Sequence, residues 1–268
     1  MAESFAKRIP PCSHVVVFYN TFHDKWKVLS ALINGNLEKE QSVIYFSNGS
    51  DDCIASKLHE DRLALAKMLR SGRVSIADGE RWYLEEQSLK EGRISDTWME
   101  AVQDTLSGGS KGLCVICEPA RILGPDLSRV LGYEGSLPRR FSSPLSVICQ
   151  YSVEDLLSLE DGNLLMKLTD AHRYVVTPRF GGPIGFLDHY GQSLTRSLES
   201  ILGKTITSVF FSFVKAKHGN CRSNQYGPIE HLDRYLNEFF GENASRVIKK
   251  HVLKEQYERV GLRFKSLI

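Results

Sequence analysis

Apolar runs of strand length alternate with segments of helical periodicity through the first 178 residues of the chain. The pattern predicts strands at 15–19, 43–46, 73–77, 113–117, 145–150 and 173–176. It predicts an amphipathic helix between the first two strands and further helical segments at 52–70, 95–106, 126–131 and 153–170. Such alternation gives a mostly parallel sheet covered by helices on both faces, and right-handed crossovers make that sheet doubly wound. The predicted fold class of this part is therefore α/β.

The pattern changes near residue 178. Residues 177–191 read TPRFGGPIGFLDHYG, where Pro and Gly are dense and no periodicity persists. Beyond them, apolar positions at helical spacing predict three amphipathic helices, over Leu194 to Phe213, Ile229 to Phe239 and Val247 to Tyr257. Gly203 predicts a local weak point in the first of these helices. We expect an α/β domain over 1–178, a linker over 179–190 and a small all-helical domain over 191–268.

The turn after the first strand has the layout of a nucleotide-binding βαβ unit without its phosphate-binding residues. In nucleotide-hydrolysing proteins this turn carries Gly-x-x-x-x-Gly-Lys-Ser/Thr, whose backbone N–H groups surround the phosphates. Here it reads Asn20-Thr21-Phe22-His23-Asp24-Lys25, with no glycine, two bulky side chains and one acidic side chain. The sequence therefore predicts that the scaffold is kept while phosphate binding and ATP hydrolysis are lost.

Composition and charge limit the classes of protein to which the chain can belong. Hydrophobic residues make up 42% and charged residues 25% of the chain, as in ordinary globular proteins. No apolar run approaches the roughly 20 residues of a membrane helix, and the N-terminus lacks the apolar core of a secretory signal, so we expect a cytosolic protein without a membrane partner. Residues 1–178 carry 20 Lys+Arg and 24 Asp+Glu (net −4), whereas residues 179–268 carry 14 and 8 (net +6). A basic C-terminal part suits nucleic acid or an acidic partner, with a solvated helix face as the ordinary alternative.

Ligands of open parallel sheets bind outside the carboxyl ends of the strands. The residues near those ends give eight candidates for binding a small polar or mixed ligand: Tyr19, Asn20, Ser47, Asn48, Glu118, Arg121, Gln150 and Tyr151. The set holds no assembled nucleophile, base and orienter, so we expect no catalytic residue, no enzyme activity, no cofactor and no metal. Glu118 occupies the place of an ATPase acid, but pairing with Arg121 is the favoured interpretation.

Histidines and cysteines also fall near the predicted strands. His14 and His172 lie at or just before the start of apolar strands, and each is interpreted as a hydrogen-bonded structural residue, with ligand contact as the alternative. Cys114 and Cys117 form a C-x-x-C on a strand, where positions three apart point to opposite faces. We interpret them, and Cys149, as free buried thiols rather than as metal ligands or a redox pair.

The last predicted helix is basic and amphipathic. The cations that it offers to phosphates or to a protein partner are Arg246, Lys249, Lys250, Lys254, Arg259 and Arg263. Glu255 and Glu258 dilute the positive charge, and no turn-plus-recognition-helix signature is present. We expect the apolar stripe of this helix to pack against the other two helices, while DNA contact and a homodimer stay open.

Several short motifs occur together in an order that resembles one family. They are His14, Phe18-Tyr19, Leu32-Ile33-Asn34-Gly35-Asn36-Leu37, Val43-Ile44-Tyr45-Phe46-Ser47, Leu131-Gly132-Tyr133-Glu134, Val147-Ile148-Cys149-Gln150-Tyr151 and Ala171-His172. Over about residues 14–178 they resemble the MEDS domain, the sensory domain of the methanogen and methylotroph DcmR-type regulators.

This resemblance implies a RecA-like fold related to the KaiC and RecA ATPases, without a working phosphate loop, that senses small molecules such as hydrocarbon derivatives. The C-terminal part, through Ile201-Leu202-Gly203, Leu236 to Phe240 and the closing basic helix, resembles small helical output domains of archaeal signalling proteins. Together they imply a non-enzymatic regulator that couples a small-molecule sensor to a helical output domain. Two alternatives stay open: a KaiC-like ATP-binding protein or ATPase with an atypical phosphate loop, and a DNA-binding transcriptional regulator.

Overall fold

The computed structural model of the chain describes residues 2–47, 72–79, 81, 94–123, 126–158, 164–179, 181–182, 186–218 and 229–263. The predicted helix at 52–70 and the candidate Asn48 lie outside these residues.

Within the described residues, each predicted strand is present, with bounds that differ by two residues at most. The strands are β1 (His14–Tyr19), β2 (Ser42–Ser47), β3 (Val74–Asp78), β4 (Leu113–Cys117), β5 (Leu145–Ser152), β6 (Tyr174–Val176) and β7 (Gly181–Gly182). The helices are α1 (Ala2–Arg8), α2 (Phe22–Glu38), α3 (Ile94–Ser107), α4 (Pro119–Leu123), α5 (Leu127–Ser136), α6 (Val153–Ser158), α7 (Leu164–Ala171), α8 (Phe186–His218) and α9 (Ile229–Arg259). Helices α1 and α4 and strand β7 were not predicted from the sequence.

The strands form one sheet in the order β3-β2-β4-β5-β1-β6-β7. Neighbouring strands are parallel except β6 and β7, which are antiparallel. Strand β1 lies between β5 and β6, where Val16 pairs with Cys149 on one side and Val175 on the other. All residues of β1 and β4 are buried, as expected for parallel strands covered on both faces. The structure confirms the predicted α/β fold with a mostly parallel sheet.

Different helices cover the two faces of the sheet. The face that packs against α1 and α2 buries Val15 and Val17 of β1 and Ile148 of β5. Because successive side chains of a strand point to opposite faces, His14 of β1 and Cys149 of β5 lie on the other face. Contacts of His14 with Glu134 in α5, described below, show that α5 covers this second face.

Helix α2 follows β1 closely because Thr21 caps its N-terminus. The Thr21 hydroxyl accepts a hydrogen bond from the Asp24 N–H, and the Asp24 carboxylate accepts one from the Thr21 N–H. This capping box satisfies backbone N–H groups at the start of the helix. Protein side chains thus occupy donors that face phosphates in a nucleotide-binding turn.

A second compact unit, separate from the sheet, begins at Ile184 and contains α8 and α9. The two helices pack through aromatic rings, with the centroid of Phe210 5.5 Å from that of Phe239 and 5.4 Å from that of Phe240. Each helix breaks at a glycine, Gly203 (φ 80°, ψ 166°) and Gly241 (φ 76°, ψ 163°). Only glycine adopts this backbone conformation readily. Among the described residues, no helix is both long enough and apolar enough to cross a membrane.

The C-terminal part of the chain agrees with the predicted helices and differs from the prediction at the linker. The second and third predicted helices correspond to the two parts of α9 on either side of its break at Gly241, and the weak point predicted at Gly203 is present as the break in α8. Residues 179–190 were predicted as linker, but Gly181–Gly182 form β7 beside β6, and α8 begins at Phe186. A Cβ at Gly181 would lie 2.8 Å from the Cβ of Phe5, so this glycine serves close packing.

Candidate functional site

The first group of buried polar side chains lies at the carboxyl ends of β1 and β4. Lys25, in the first turn of α2, forms an ion pair with Glu118, which directly follows β4, and their side chains are only 2% and 4% exposed. Arg121 Nε lies 3.2 Å from Glu118 Oε2 and 3.3 Å from Asp155 Oδ2. We call Lys25, Glu118, Arg121 and Asp155 the Lys25 cluster.

Aromatic rings lie near Lys25 in the Lys25 cluster, and carboxylates balance the positive charges of the cluster. The Lys25 Nζ atom lies 5.8 to 5.9 Å from the ring centroids of Tyr19, Phe22 and Tyr45, within the range of cation–π attraction. Burial by itself lowers the pKa of Arg121, but the neighbouring Glu118 carboxylate and other acidic groups outweigh burial and raise it. The cations of this cluster are therefore neutralised by carboxylates of the protein.

The second group joins the sheet to the helices on its other face. His14 begins β1, Cys149 lies in β5, Glu134 lies in α5, and His172 directly follows α7. Glu134 Oε2 lies 3.2 Å from Nε2 of His14 and 3.2 Å from Nε2 of His172, and Cys149 Sγ lies 3.6 Å from His14 Nε2. One donor atom of each side chain lies within 4.8 Å of the others, and all four residues are buried. We call them the four-donor cluster.

Neighbouring groups orient the four-donor cluster. The Tyr151 hydroxyl donates a hydrogen bond to Glu134 Oε1, which leaves Oε2 facing the two imidazoles. His172 Nδ1 donates to the Leu168 carbonyl over 2.5 Å, so Nε2 is the nitrogen that faces Glu134. The two imidazole centroids are 3.8 Å apart. These hydrogen bonds hold the Glu134 carboxylate and the His172 ring in one orientation.

Burial and local charge set the protonation of the four-donor cluster. Burial, followed by the charge of His172, lowers the pKa of His14 to about 4. Burial raises the pKa of Glu134, but the two neighbouring histidines, His172 and His14, outweigh burial and lower the pKa below its ordinary value. Burial, followed by the neighbouring Cys117 thiol, raises the pKa of Cys149. At neutral pH, His14 is neutral, Glu134 is ionised and Cys149 is a thiol.

The residues that the sequence placed at one cleft belong to different groups. Tyr19, Glu118 and Arg121 lie in or beside the Lys25 cluster, and the predicted pairing of Glu118 with Arg121 is present. Tyr151 instead contacts Glu134, because its position in β5 directs it to the face covered by α5. His14 and His172, predicted separately from the cleft, belong to the four-donor cluster.

The remaining ligand candidates are Gln150, Asn20, Ser47 and Asn48. Gln150 is buried at 1% exposure, and by alternation along β5 its side chain points to the face covered by α1 and α2. Asn20 is half-buried in the bend that precedes Thr21. Ser47 ends β2, and its side chain is outside the described part of the chain, as is Asn48.

Most of the basic candidates of the C-terminal unit face solvent on or just beyond α9. Those that are exposed are Arg246, Lys250, Lys254 and Arg263, whereas Lys249 and Arg259 are half-buried. Arg259 Nη2 donates to Gln192 Oε1 over 2.9 Å, so this cation contributes to packing against α8. The apolar stripe packs as expected at Ile248 and Val252, but Val247 is 61% exposed and does not belong to it.

The sequence analysis did not single out Lys25, Asp155, Glu134 or Cys149 as site residues. A signal for Glu134 was available, because Val130 and Glu134 share the buried side of α5 at a spacing of four residues, and the buried Leu137 directly follows the helix. A carboxylate on the apolar face of a helix needs a buried partner. Lys25 had no comparable signal, since a lysine in the first turn of a helix is ordinarily exposed.

The chain is similar to one known protein family and, more weakly, to two solved structures. The model of the MEDS family, described as the methanogen/methylotroph DcmR sensory domain, matches residues 13–172, a range that contains both clusters. The comparison with curated proteins found no match. A solved structure from Pyrococcus horikoshii OT3 is similar with a TM-score of 0.40 and 10% identity, covering 66% of this chain and 86% of that one. The ATP synthase subunit NeqB of Nanoarchaeum equitans gives a TM-score of 0.42 and 9% identity, covering 97% of this chain and 76% of that one. Likeness at this level carries no functional argument.

Proposed function

Since the chain belongs to the MEDS family of sensory domains, we propose that it is a non-enzymatic signal-transduction protein. Its α/β unit binds a small molecule, such as a hydrocarbon derivative, and its basic helical unit passes the signal on. A RecA-like ancestry with a lost phosphate site is part of the proposal. The parallel sheet and the strand–turn–helix unit in its interior support that ancestry.

The observation that carries the non-enzymatic part is the buried ion pair of Lys25 with Glu118. A lysine in the first turn of the helix after β1 is suited to meet a phosphate, but here a carboxylate of the protein already neutralises it. The Thr21 capping box occupies backbone donors of the same turn. A nucleotide would have to displace both sets of interactions before it could bind in the turn.

Calorimetry with ATP and Mg²⁺ tests this part directly. We expect no binding heat at micromolar concentrations and no hydrolysis by the purified chain. Hydrolysis that disappears in Glu118→Gln, but persists in Arg139→Gln, would contradict the proposal and favour a KaiC-like ATPase. Arg139 is a suitable control because its ion pair with Asp170 is on the surface, with side chains 58% and 68% exposed.

Sensing is tested with the intact chain and small molecules. Native mass spectrometry of protein from its own source should detect a retained compound, and simple hydrocarbon derivatives should raise the melting temperature in proportion to the logarithm of their concentration. This dependence follows from mass action when a ligand binds the folded state. Unchanged melting across the series, together with protein of bare-chain mass, would refute small-molecule sensing.

Output requires that the ligand favours one arrangement of the protein over another, because tight binding alone shifts no equilibrium. The exposed cations of α9 favour DNA as one candidate for the partner that receives the signal. Binding to duplex DNA should then weaken steeply with salt, and the double variant Lys250→Gln/Lys254→Gln should reduce the slope of log affinity against log salt by about 2. An anisotropy signal that does not change with salt concentration would exclude DNA as the receiving partner.

A further inference from the structure

We infer that His14, Glu134, Cys149 and His172 form a binding site for one transition-metal ion of the Zn²⁺ class. The ion would be held by two imidazole nitrogens, one carboxylate oxygen and one thiolate sulfur. This inference goes beyond small-molecule sensing and does not rest on it, because metal content is measured without any signal ligand.

The spacing of the donor atoms fits a tetrahedral ion. Typical bond lengths to Zn²⁺ place neighbouring nitrogen and oxygen donors about 3.3 Å apart and nitrogen and sulfur donors about 3.6 Å apart. Glu134 Oε2 lies 3.2 Å from both His14 Nε2 and His172 Nε2, and Cys149 Sγ lies 3.6 Å from His14 Nε2. Three edges of the tetrahedron are therefore present already.

His172 Nε2 and Glu134 Oε2 face each other in the interior of the protein. His172 donates its Nδ1 proton to the Leu168 carbonyl, which leaves Nε2 as the ring nitrogen directed at Glu134 Oε2. Both atoms are buried, and neither makes a hydrogen bond of acceptable geometry despite their separation of 3.2 Å. A buried polar atom without a hydrogen bond calls for an explanation, and an ion bound between these two atoms would give each of them a partner.

The surrounding groups match the usual support of a metal site. Metal-binding histidines commonly donate their second ring N–H to a backbone carbonyl, and metal-binding carboxylates are themselves hydrogen-bonded. Here His172 donates to Leu168, and Glu134 Oε1 accepts from Tyr151. These hydrogen bonds leave Nε2 of His172 and Oε2 of Glu134 directed toward the other donor atoms.

Charge and donor chemistry select the class of ion. A buried divalent cation needs compensating negative charge, and the Glu134 carboxylate with a Cys149 thiolate supplies two negative charges. The thiol proton of Cys149 passes to solvent when the ion binds. Nitrogen and sulfur donors favour Zn²⁺ or Co²⁺ over Mg²⁺ and Ca²⁺, and four protein donors complete a structural site without an open position.

Binding also requires one local movement. The His14 and His172 rings are tilted by 39° to each other with centroids only 3.8 Å apart, whereas two imidazoles on a tetrahedral ion point outward from it. We therefore expect the rings to separate when the ion enters. Strand β1 and the residue after α7 would then be tied together through the ion.

Metal analysis and Co²⁺ spectroscopy on the full chain test the site. Elemental analysis of the purified protein should find one transition-metal ion per chain. After removal of that ion with a chelator, Co²⁺ should restore the intense visible bands of tetrahedral coordination and a thiolate charge-transfer band. Cys149→Ser should remove the charge-transfer band, whereas Cys114→Ser should keep it, because Cys114 lies on the opposite face of the sheet.

A variant that keeps all four donors guards against loss of folding. Tyr151→Phe removes only the hydrogen bond to Glu134 and should weaken Co²⁺ binding about 10- to 100-fold, with an unchanged far-UV spectrum. The inference is overturned if the folded wild-type chain shows no tetrahedral Co²⁺ bands, or if Cys149→Ser keeps the charge-transfer band. Failure of either kind leaves small-molecule sensing untouched, so the two proposals are distinguished.

Discussion

Lys25 and Glu118 form an ion pair in the interior, although they lie at the ends of strands that β5 separates in the sheet. Lys25 follows β1 and Glu118 follows β4. Burying either charge alone is costly, whereas the pair is tolerated because each group neutralises the other. The pair therefore fixes the turn after β1 to the neighbouring end of the sheet.

Removing one member of this pair should destabilise the α/β unit strongly. We expect Glu118→Gln to lower the free energy of unfolding by about 3–5 kcal/mol, because the Lys25 ammonium is left buried without a counter-charge. Urea denaturation followed by tryptophan fluorescence measures this loss. All three tryptophans of the sequence, at 26, 82 and 98, precede the C-terminal unit.

The control for this prediction is Arg139→Gln. It breaks the exposed ion pair with Asp170 and should change the stability by less than about 1 kcal/mol. Equal effects of Glu118→Gln and Arg139→Gln would show that the Lys25 pair has no special role in stability.

The stability of the metal-free protein should depend on pH through His14. Its pKa is lowered from 6.5 to about 4 in the folded state, mainly by burial, so the unfolded chain binds more protons between these values. The free energy of unfolding should therefore fall as the pH falls, by about 2 kcal/mol between pH 6.5 and 4.5. Below pH 4.5, protonation of Glu134 in the unfolded chain adds to the decrease, since the pKa of Glu134 in the folded protein is lowered from 4.5.

Chelator-treated protein in urea at several pH values checks the prediction for His14. The variant His14→Asn should lose this part of the dependence, whereas His251→Asn, on the surface of α9, should retain it. A stability that is constant from pH 6.5 to 4.5 in the wild-type chain would contradict the assignment.

Two glycines should respond to alanine in opposite directions. A Cβ at Gly35 would lie 2.5 Å from the backbone oxygen of Lys7 in α1, so Gly35→Ala should cost about 1–3 kcal/mol through overpacking. Gly132, on the exposed side of α5, has no atom within 4 Å of such a Cβ. Gly132→Ala should stabilise the protein by about 0.5–1 kcal/mol because alanine favours the helix. Thermal denaturation distinguishes the two signs, and the same sign for both would refute the packing of α1 on α2.

The break in α8 should depend on glycine at position 203. A Cβ there meets no atom within 4 Å, but the backbone has a φ of 80°, so Gly203→Ala is expected to cost about 1–3 kcal/mol through backbone strain alone. The loss should appear in unfolding followed by circular dichroism and be absent from tryptophan fluorescence, which reports the first unit. An unchanged transition in both signals would show that the break does not require glycine.

The sequence by itself determined the strands, the mostly parallel sheet and the absence of a phosphate loop, because each depends on the spacing and identity of nearby residues. Apolar runs gave β1, β4 and β5, and the residues from Asn20 to Lys25 excluded a glycine-rich turn. The same local reasoning found the weak point at Gly203. It assigned Gly181–Gly182 to a linker, whereas Gly181 packs closely against Phe5.

Only the tertiary structure decided which polar side chains meet. The four donors come from positions 14, 134, 149 and 172, far apart in the chain and without the short spacing of a metal motif, so the sequence analysis expected no metal. Their meeting depends on the strand order that places β5 beside β1, on the register that pairs Val16 with Cys149, and on the packing of α5 against that face. Strand order, register and helix packing are set by the burial of whole faces of the sheet, and no local pattern of residues encodes them.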